Sequence, residues 1–149
     1  MRLLLQRVTG ASVAVDGAVV GAIGPGLVVL VGIGPADTPQ VVRALADRTC
    51  DLRIFRDDAG LINRSLLDVG GEVMAVSQFT LYADTRKGRR PSFLGAAPAV
   101  LGDTLYQAYA TAVEDRGVRV ARGIFGAEMA LSLVNDGPMT IWLDSAAAA

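Results

Sequence analysis

The chain has no histidine and a single cysteine, Cys50, among its 149 residues. Without an imidazole there can be no Ser-His or Cys-His nucleophile pair and no histidine general base. One cysteine excludes an intramolecular disulfide and a cysteine metal cluster. Its neighbours Ala46, Asp47, Thr49 and Leu52 read as helix, so Cys50 is expected as a buried thiol. Lysine is also reduced to one, Lys87, and 14 Lys and Arg stand against 15 Asp and Glu, a net charge of −1. Any contact with nucleic acid therefore depends on a local patch rather than a global field. No apolar run approaches the span of a membrane helix. The opening Arg2-Leu3-Leu4-Leu5-Gln6-Arg7 is too short and too interrupted for a signal peptide, so a cytoplasmic protein is expected. Repeats, linkers, a P-loop and any His/Cys ligand set are missing, and Gly24-Pro25-Gly26 has no helix behind it to make a phosphate cradle. No metal or cofactor is expected.

What is there is apolar. Hydrophobic residues make up 52% and charged residues 19%, more apolar surface than one small domain hides, which points to a subunit interface. Residues 2–8, 12–15 and 18–23 read as short strands, with Asp16-Gly17 as a hairpin turn. Leu27–Ile33 reads as a fully buried strand. Thr38-Pro39 signals a helix start ahead of Val41, Val42, Leu45 and Ala46. Further strands are expected at Arg53-Ile54-Phe55 and Glu72–Phe79, with turns at Asp57–Gly60 and Asp68–Gly71. A second helix follows Pro98, with Leu101, Leu105, Ala108 and Ala112 on its buried face and Gly117 as its stop. Val118 and Val120 alternate in a short strand, and Glu128–Val134 and Met139–Leu143 are expected as two strands around the turn Asn135-Asp136-Gly137-Pro138. Many short strands and two main helices predict a sheet-rich α/β single domain over residues 1–145, with a frayed alanine tail at 146–149.

Two stretches can carry chemistry. Ser77-Gln78-Phe79-Thr80 ends a strand and leads through Tyr82 into Arg86-Lys87-Gly88-Arg89-Arg90, which gathers four of the chain's 14 Lys and Arg within five positions. Such a loop can grip phosphates, with Tyr82 and Phe93 stacking on a base, or it can be a solvated, solubilising loop. Ser77 and Thr80 either cap strand ends or serve a site. With no histidine, and Lys87 seven residues beyond Thr80, a side-chain nucleophile lacks its base, and backbone amides at Gln78 and Phe79 are the better candidates for work on an oxyanion. The second stretch, Asn135-Asp136-Gly137-Pro138-Met139-Thr140, is either a plain turn or, if its Gly-Pro bond is cis, a device that presents carbonyls. Asp57-Asp58 and Glu114-Asp115 read as solvated carboxylates.

Taken together, these stretches resemble the D-aminoacyl-tRNA deacylases. Leu52-Arg53-Ile54-Phe55, Ser65–Gly71, Ser77–Phe93 and Ser132–Pro138 carry the likeness, which runs from Arg2 to Ser145. The resemblance implies a layered β/β/α homodimer that hydrolyses the ester between a D-amino acid, or glycine, and the 3′-terminal adenosine of tRNA. It implies that Gly137-Pro138 is cis and enters the partner subunit's pocket, rejecting L-aminoacyl groups, with Met139 and Thr140 beside it and Arg7 holding the loop. Ser77, Gln78 and Phe79 would line the pocket, and Arg86, Lys87, Arg89 and Arg90 would face tRNA. The terminal ribose 2′-hydroxyl would assist catalysis, with Thr80 as nucleophile ranked second. Neither DNA nor membrane is implied as a partner. Gly34-Pro35-Ala36 and Met139 depart from the family pattern and bear on fine specificity. A non-catalytic tRNA-binding module built on the basic loop is the alternative.

Overall fold

Asp16 and Gly17 both take left-handed backbone angles, φ 50° and 78°, as a two-residue type I′ hairpin requires. In the computed structural model, which describes residues 1–148, this turn joins β1 (Arg2–Val15) to β2 (Ala18–Ile23). The return arm breaks at Gly24-Pro25 and resumes as β3 (Gly26–Gly32) along the same edge of β1, with Ala11 facing Ile23 and Val8 facing Gly26. β1 is thus one strand, not the two short pieces expected, because Gly10 stays in the ladder through its partner Val134.

Thr38, in extended conformation, caps α1 (Pro39–Asp51) by accepting the Val41 amide on its hydroxyl, which satisfies one of the orphan donors of the first turn. Cys50 lies on the buried face of α1, and burial pushes its thiol up to about 11; it is a structural group. A small hairpin follows, β4 (Phe55–Arg56) and β5 (Ile62–Arg64), so the strand expected at Arg53–Phe55 is shorter and displaced. The expected turn near Asp68 is instead preceded by a helical turn, α2 (Leu66–Val69). Ser65 accepts the Asp68 amide while the Asp68 carboxylate accepts the Ser65 amide, a reciprocal box that the sequence spells as Ser-x-x-Asp.

β6 (Glu72–Ser77) ends two residues earlier than expected and passes into a 3-10 turn, Phe79–Tyr82. Then come α3 (Ala99–Glu114), β7 (Val120–Arg122), β8 (Ala130–Asp144) and a closing 3-10 turn, Ser145–Ala148, where a frayed tail was expected; Ala149 lies outside the described residues. β3 and β6 are parallel, as are β6 and β7, and β8 runs antiparallel along the other edge of β1. β8 is a correction of some consequence. Turn residues at 135–138 do not separate two strands: Thr140 faces Gln6 and Asn135 faces Val8, so four residues bulge out opposite Arg7 within one strand.

Alternation along the strands divides the core. Leu27, Val29, Val31, Val73 and Ala75 pack toward α1 and α3, while Val28, Met74 and Val76 join Val8, Ala11, Val13 and Ile23 in a second cluster on the opposite face. Burial on both faces explains why Leu27–Val31 reads as an unbroken apolar run. α3 sits against the sheet and α1 together, so its buried face is wider than the expected stripe. Leu105, Tyr106, Tyr109, Ala110 and Val113 are buried, and Leu101, Ala108 and Ala112 only partly so. The two tyrosines fit because their hydroxyls find partners, Tyr106 donating to the Ala75 carbonyl at 2.9 Å and Tyr109 pairing with the Thr49 hydroxyl at 2.9 Å. No helix among the described residues is long and apolar enough to cross a membrane.

Candidate functional site

At the end of β6 the Gln78 amide donates to the Val31 carbonyl at 2.8 Å, the last rung between β3 and the wall of a cavity. The chain then tightens, Leu81 donating to the Gln78 carbonyl and Ala83 to that of Thr80. Glycine at position 32 permits this, since a Cβ there would lie 3.1 Å from the Leu81 Cβ and 3.2 Å from the Gln78 carbonyl oxygen. The cavity so bounded has a volume of about 440 Å³. Ser77, Gln78 and Phe79 form one side, Phe93 and Ala97 a second, and Tyr106 of α3 part of the floor. Phe79 and Phe93 meet edge to face at its mouth, ring centres 5.0 Å apart, and Phe79 remains 57% exposed. An apolar, aromatic-edged cavity with a few polar groups suits a small planar or aromatic ligand.

Its polar groups are limited in what they can do. Of the two backbone amides expected to serve an oxyanion, that of Gln78 is committed to Val31, so the donor assignment narrows to Phe79. At the first position of the 3-10 turn, the Phe79 amide has no acceptor within the turn. Thr80 does not line the cavity. Its hydroxyl accepts a hydrogen bond from the Gln78 side-chain amide, a donor and not a base, so nothing activates it as a nucleophile. Burial raises the phenols of Tyr82 and Tyr106 to about 12, and neither is a proton acceptor at neutral pH.

Gly137, Pro138, Met139 and Thr140 are not at this cavity. Their bulge stands opposite Arg7, level with Leu27 and Val73, whereas Ser77 is level with Val31 and Leu3. Four residues along the strands and three strand spacings across them separate the two places by roughly 20 Å. Gly137 and Pro138 are exposed, and the bond between them is cis. Asn135 clips the bulge shut, its amide nitrogen donating to the Thr140 hydroxyl and its oxygen accepting the Met139 amide, both at 3.0 Å. Arg7 braces the bulge from beneath. It is 2% exposed and donates to the Ile54 carbonyl at 2.5 Å. Its Nε lies 3.0 Å from Asp136, a charge contact whose N–H is not aligned for a hydrogen bond. In the sequence Asn135 reads only as turn vocabulary; Asn-x-x-x-Met-Thr spacing across a strand bulge is the signal that identifies the clip.

The basic loop leaves the cavity mouth on two stems, closed where Asp84 and Ser92 exchange backbone hydrogen bonds at 2.8 and 2.9 Å. Gly88 sits near its tip with φ 70°. Arg86 folds back onto Asp84, Nε and Nη2 on the two carboxylate oxygens at 2.9 and 2.6 Å, and these bonds hold the Asp84 carboxyl down to about 2. Lys87, Arg89 and Arg90 are exposed and form no ion pair among the described residues. Beside the loop runs a polar groove of about 720 Å³, bounded by Tyr82, Thr85, Arg86 and Ser92. Arg2 also reaches it, stacked 4.4 Å over the Tyr82 ring. The groove, the Arg2–Tyr82 stack and the α3 side of the cavity were not foreseen. Gly102, a helix-interior glycine on the buried face of α3 where a Cβ would lie 3.4 Å from the Phe125 ring, is the sequence signal that something large packs there.

A family model described as D-Tyr-tRNA(Tyr) deacylase matches residues 4–144. A Dinoroseobacter shibae protein named D-aminoacyl-tRNA deacylase is 59% identical, covering 97% of this chain and 99% of its own length. A Deinococcus deserti protein of the same name is 56% identical with the same coverage. Among solved structures, one titled c-Myc DNA Unwinding Element Binding Protein superimposes with a TM-score of 0.90 at 36% identity, covering 97% of this chain and 98% of that one.

Proposed function

Because the chain belongs to the D-Tyr-tRNA(Tyr) deacylase family, we propose that it hydrolyses the ester of D-aminoacyl-tRNA, and of mischarged glycyl-tRNA, as a chiral proofreading enzyme of the cytoplasm. The observation that carries this reading is the separation of its two parts. A cavity wall at Ser77–Phe79 and an exposed, braced bulge at Gly137-Pro138 lie roughly 20 Å apart in one chain, and a second copy brings them together. β8 supports such a homodimer. It is a fifteen-residue strand with no fully buried residue and an outer edge unpaired among the described residues, and it exposes Val134 and Trp142; monomers seldom leave so long an edge uncovered. The two core clusters, on either face of the main sheet, support a layered β/β/α arrangement.

In this reading the terminal adenosine enters the aromatic-edged cavity and places its ester against the Phe79 amide. The partner's bulge closes the far side of the aminoacyl group with backbone, leaving room for hydrogen but not for an L side chain. Selection is by exclusion, and glycine passes because it has no side chain to exclude. The ribose 2′-hydroxyl of the substrate supplies the group that the chain lacks, and Phe79 stabilises charge on the carbonyl oxygen. Arg86, Lys87, Arg89 and Arg90 lie on the side from which the rest of the tRNA would arrive.

Incubation with D-Tyr-tRNA and L-Tyr-tRNA tests the proposal: tyrosine is released from the D-ester and not from the L-ester. Release from neither, or from both at one rate, overturns it, and salt-dependent binding of uncharged tRNA without turnover would establish the binding module instead. Thr80→Ala is expected to retain activity within about tenfold, since loss of a true nucleophile costs 10⁴ or more. Complete loss in a variant of unchanged melting temperature would restore Thr80 as the attacking group.

A further inference from the structure

The four cations of the loop are not equivalent. Arg86 is held on both oxygens of Asp84, and the Asp84 carboxylate also accepts the Arg86 backbone amide at 3.0 Å. The side chain therefore ties the first stem of the loop to itself, immediately beside the Asp84–Ser92 bridge. Its charge is answered within the loop. Lys87, Arg89 and Arg90 have no such partner among the described residues, and four cations less the one matched by Asp84 leave three.

Where those three stand is fixed by the stems. Phe79 lines the apolar cavity while Tyr82, at the other end of the same 3-10 turn, lines the polar groove. On the second stem Phe93 lines the cavity, and its neighbours Ser92 and Leu94 line the groove. The cavity and the groove thus lie on the two sides of one layer of chain. Seven residues, 85–91, span the bridge, so the Cα of no loop cation lies more than roughly 12 Å from it. Leu94, 94% exposed, offers an apolar shelf on the groove's rim.

We propose that Arg86 and Asp84 form a structural clasp, and that Lys87, Arg89 and Arg90 hold the phosphates of the single-stranded nucleotides preceding the terminal one, which run along the groove bounded by Tyr82, Thr85 and Ser92. This rests on the deacylase reading and refines it: the terminal unit occupies the cavity, the preceding units the groove, and one of the four cations is withdrawn from the contact.

Salt dependence separates the roles, because each phosphate contact on a single strand contributes about 0.7 to the slope of log affinity against log salt. Cleavage of D-Tyr-tRNA and of 3′-O-D-tyrosyl-adenosine, which has no preceding phosphate, is measured over a potassium chloride series. The wild type gives a steep slope with tRNA and a flat one with the adenosine ester. Lys87→Ser, Arg89→Ser and Arg90→Ser each lower the tRNA slope by about 0.7, and the triple variant by about 2, with the adenosine ester cleaved as by wild type. Arg86→Ser leaves the slope unchanged. An unchanged slope in the triple variant overturns the phosphate contact, and a drop of about 0.7 in Arg86→Ser overturns the clasp. If the wild type cleaves neither ester, the deacylase reading fails, and the same slopes read from filter binding of uncharged tRNA still decide the roles of the loop.

Discussion

Gly137→Ala is expected to cleave L-Tyr-tRNA measurably and to lower the D-over-L rate ratio by about tenfold or more, with its melting temperature within a few degrees of the wild type. Gly137 has φ 127°, a backbone angle that L residues rarely adopt, and a Cβ there would lie 3.0 Å from the Arg7 guanidinium and 3.1 Å from the Met139 amide. Such a residue stores on the order of 1–3 kcal/mol of strain. The strain is relieved by whichever neighbour moves most easily. Arg7 is tied to the Ile54 carbonyl and buried, so the exposed bulge yields and the core does not.

On the proposed reading, a displaced bulge no longer fills the space that an L side chain would take. About 1.4 kcal/mol of lost discrimination is a tenfold change in ratio, which sets the scale of the effect. Parallel assays with the two esters, alongside a thermal melt, make the check. An unchanged ratio in a folded protein would mean that Gly137 has no part in chiral selection.

That bulge also shows where the sequence is transparent and where it is not. Asp16-Gly17, Thr38-Pro39 and the run Leu27–Val31 are local signals, each decided by backbone angle, cap or burial within a few residues, and the structure bears them out. Asn135-Asp136-Gly137-Pro138 carries equally strong local signals for a turn, yet β8 continues through it. Pairing with Gln6 and Val8, more than 120 residues away, holds both flanks in one ladder and forces the excess residues outward. β6 errs in the opposite sense: Ser77-Gln78-Phe79 alternates like a strand, but the close approach of Leu81 to Gly32 turns the chain after one last rung. The cavity wall at Ser77–Phe79 was legible because its residue types are unusual together. Its α3 side was not, since Tyr106 comes from an element whose packing no short window contains. Arg7 was read as a brace only through resemblance; in the linear sequence it is one polar residue in an alternating strand.

Arg7→Met should destabilise the protein by about 3 kcal/mol and also lower the D-over-L ratio, and the two effects have separable origins. Methionine fills much of the volume but leaves the Ile54 carbonyl without its charged donor and Asp136 without its cation. Removing one partner of a buried charged contact costs on this scale, and for a chain of this length that lowers the melting temperature by about 10 °C. Arg7→Lys keeps the charge but lacks the fork that reaches Ile54 and Asp136 together, so it recovers only part of both losses. If Arg7 served the core alone, Arg7→Met would melt early with its D-over-L ratio intact. A double-mutant cycle makes the distinction quantitative. Asp136 is half-exposed, which screens part of the pair, but Asp136→Asn leaves the buried Arg7 guanidinium without a carboxylate among the described residues, so it too melts earlier than the wild type while loosening the bulge. If Arg7 acts on selectivity through Asp136, the double variant discriminates no worse than Arg7→Met alone, because both substitutions cut the same tether. Additive losses of selectivity would place the influence of Arg7 in its direct contact beneath Gly137, where the guanidinium lies against the glycine that the first prediction replaces.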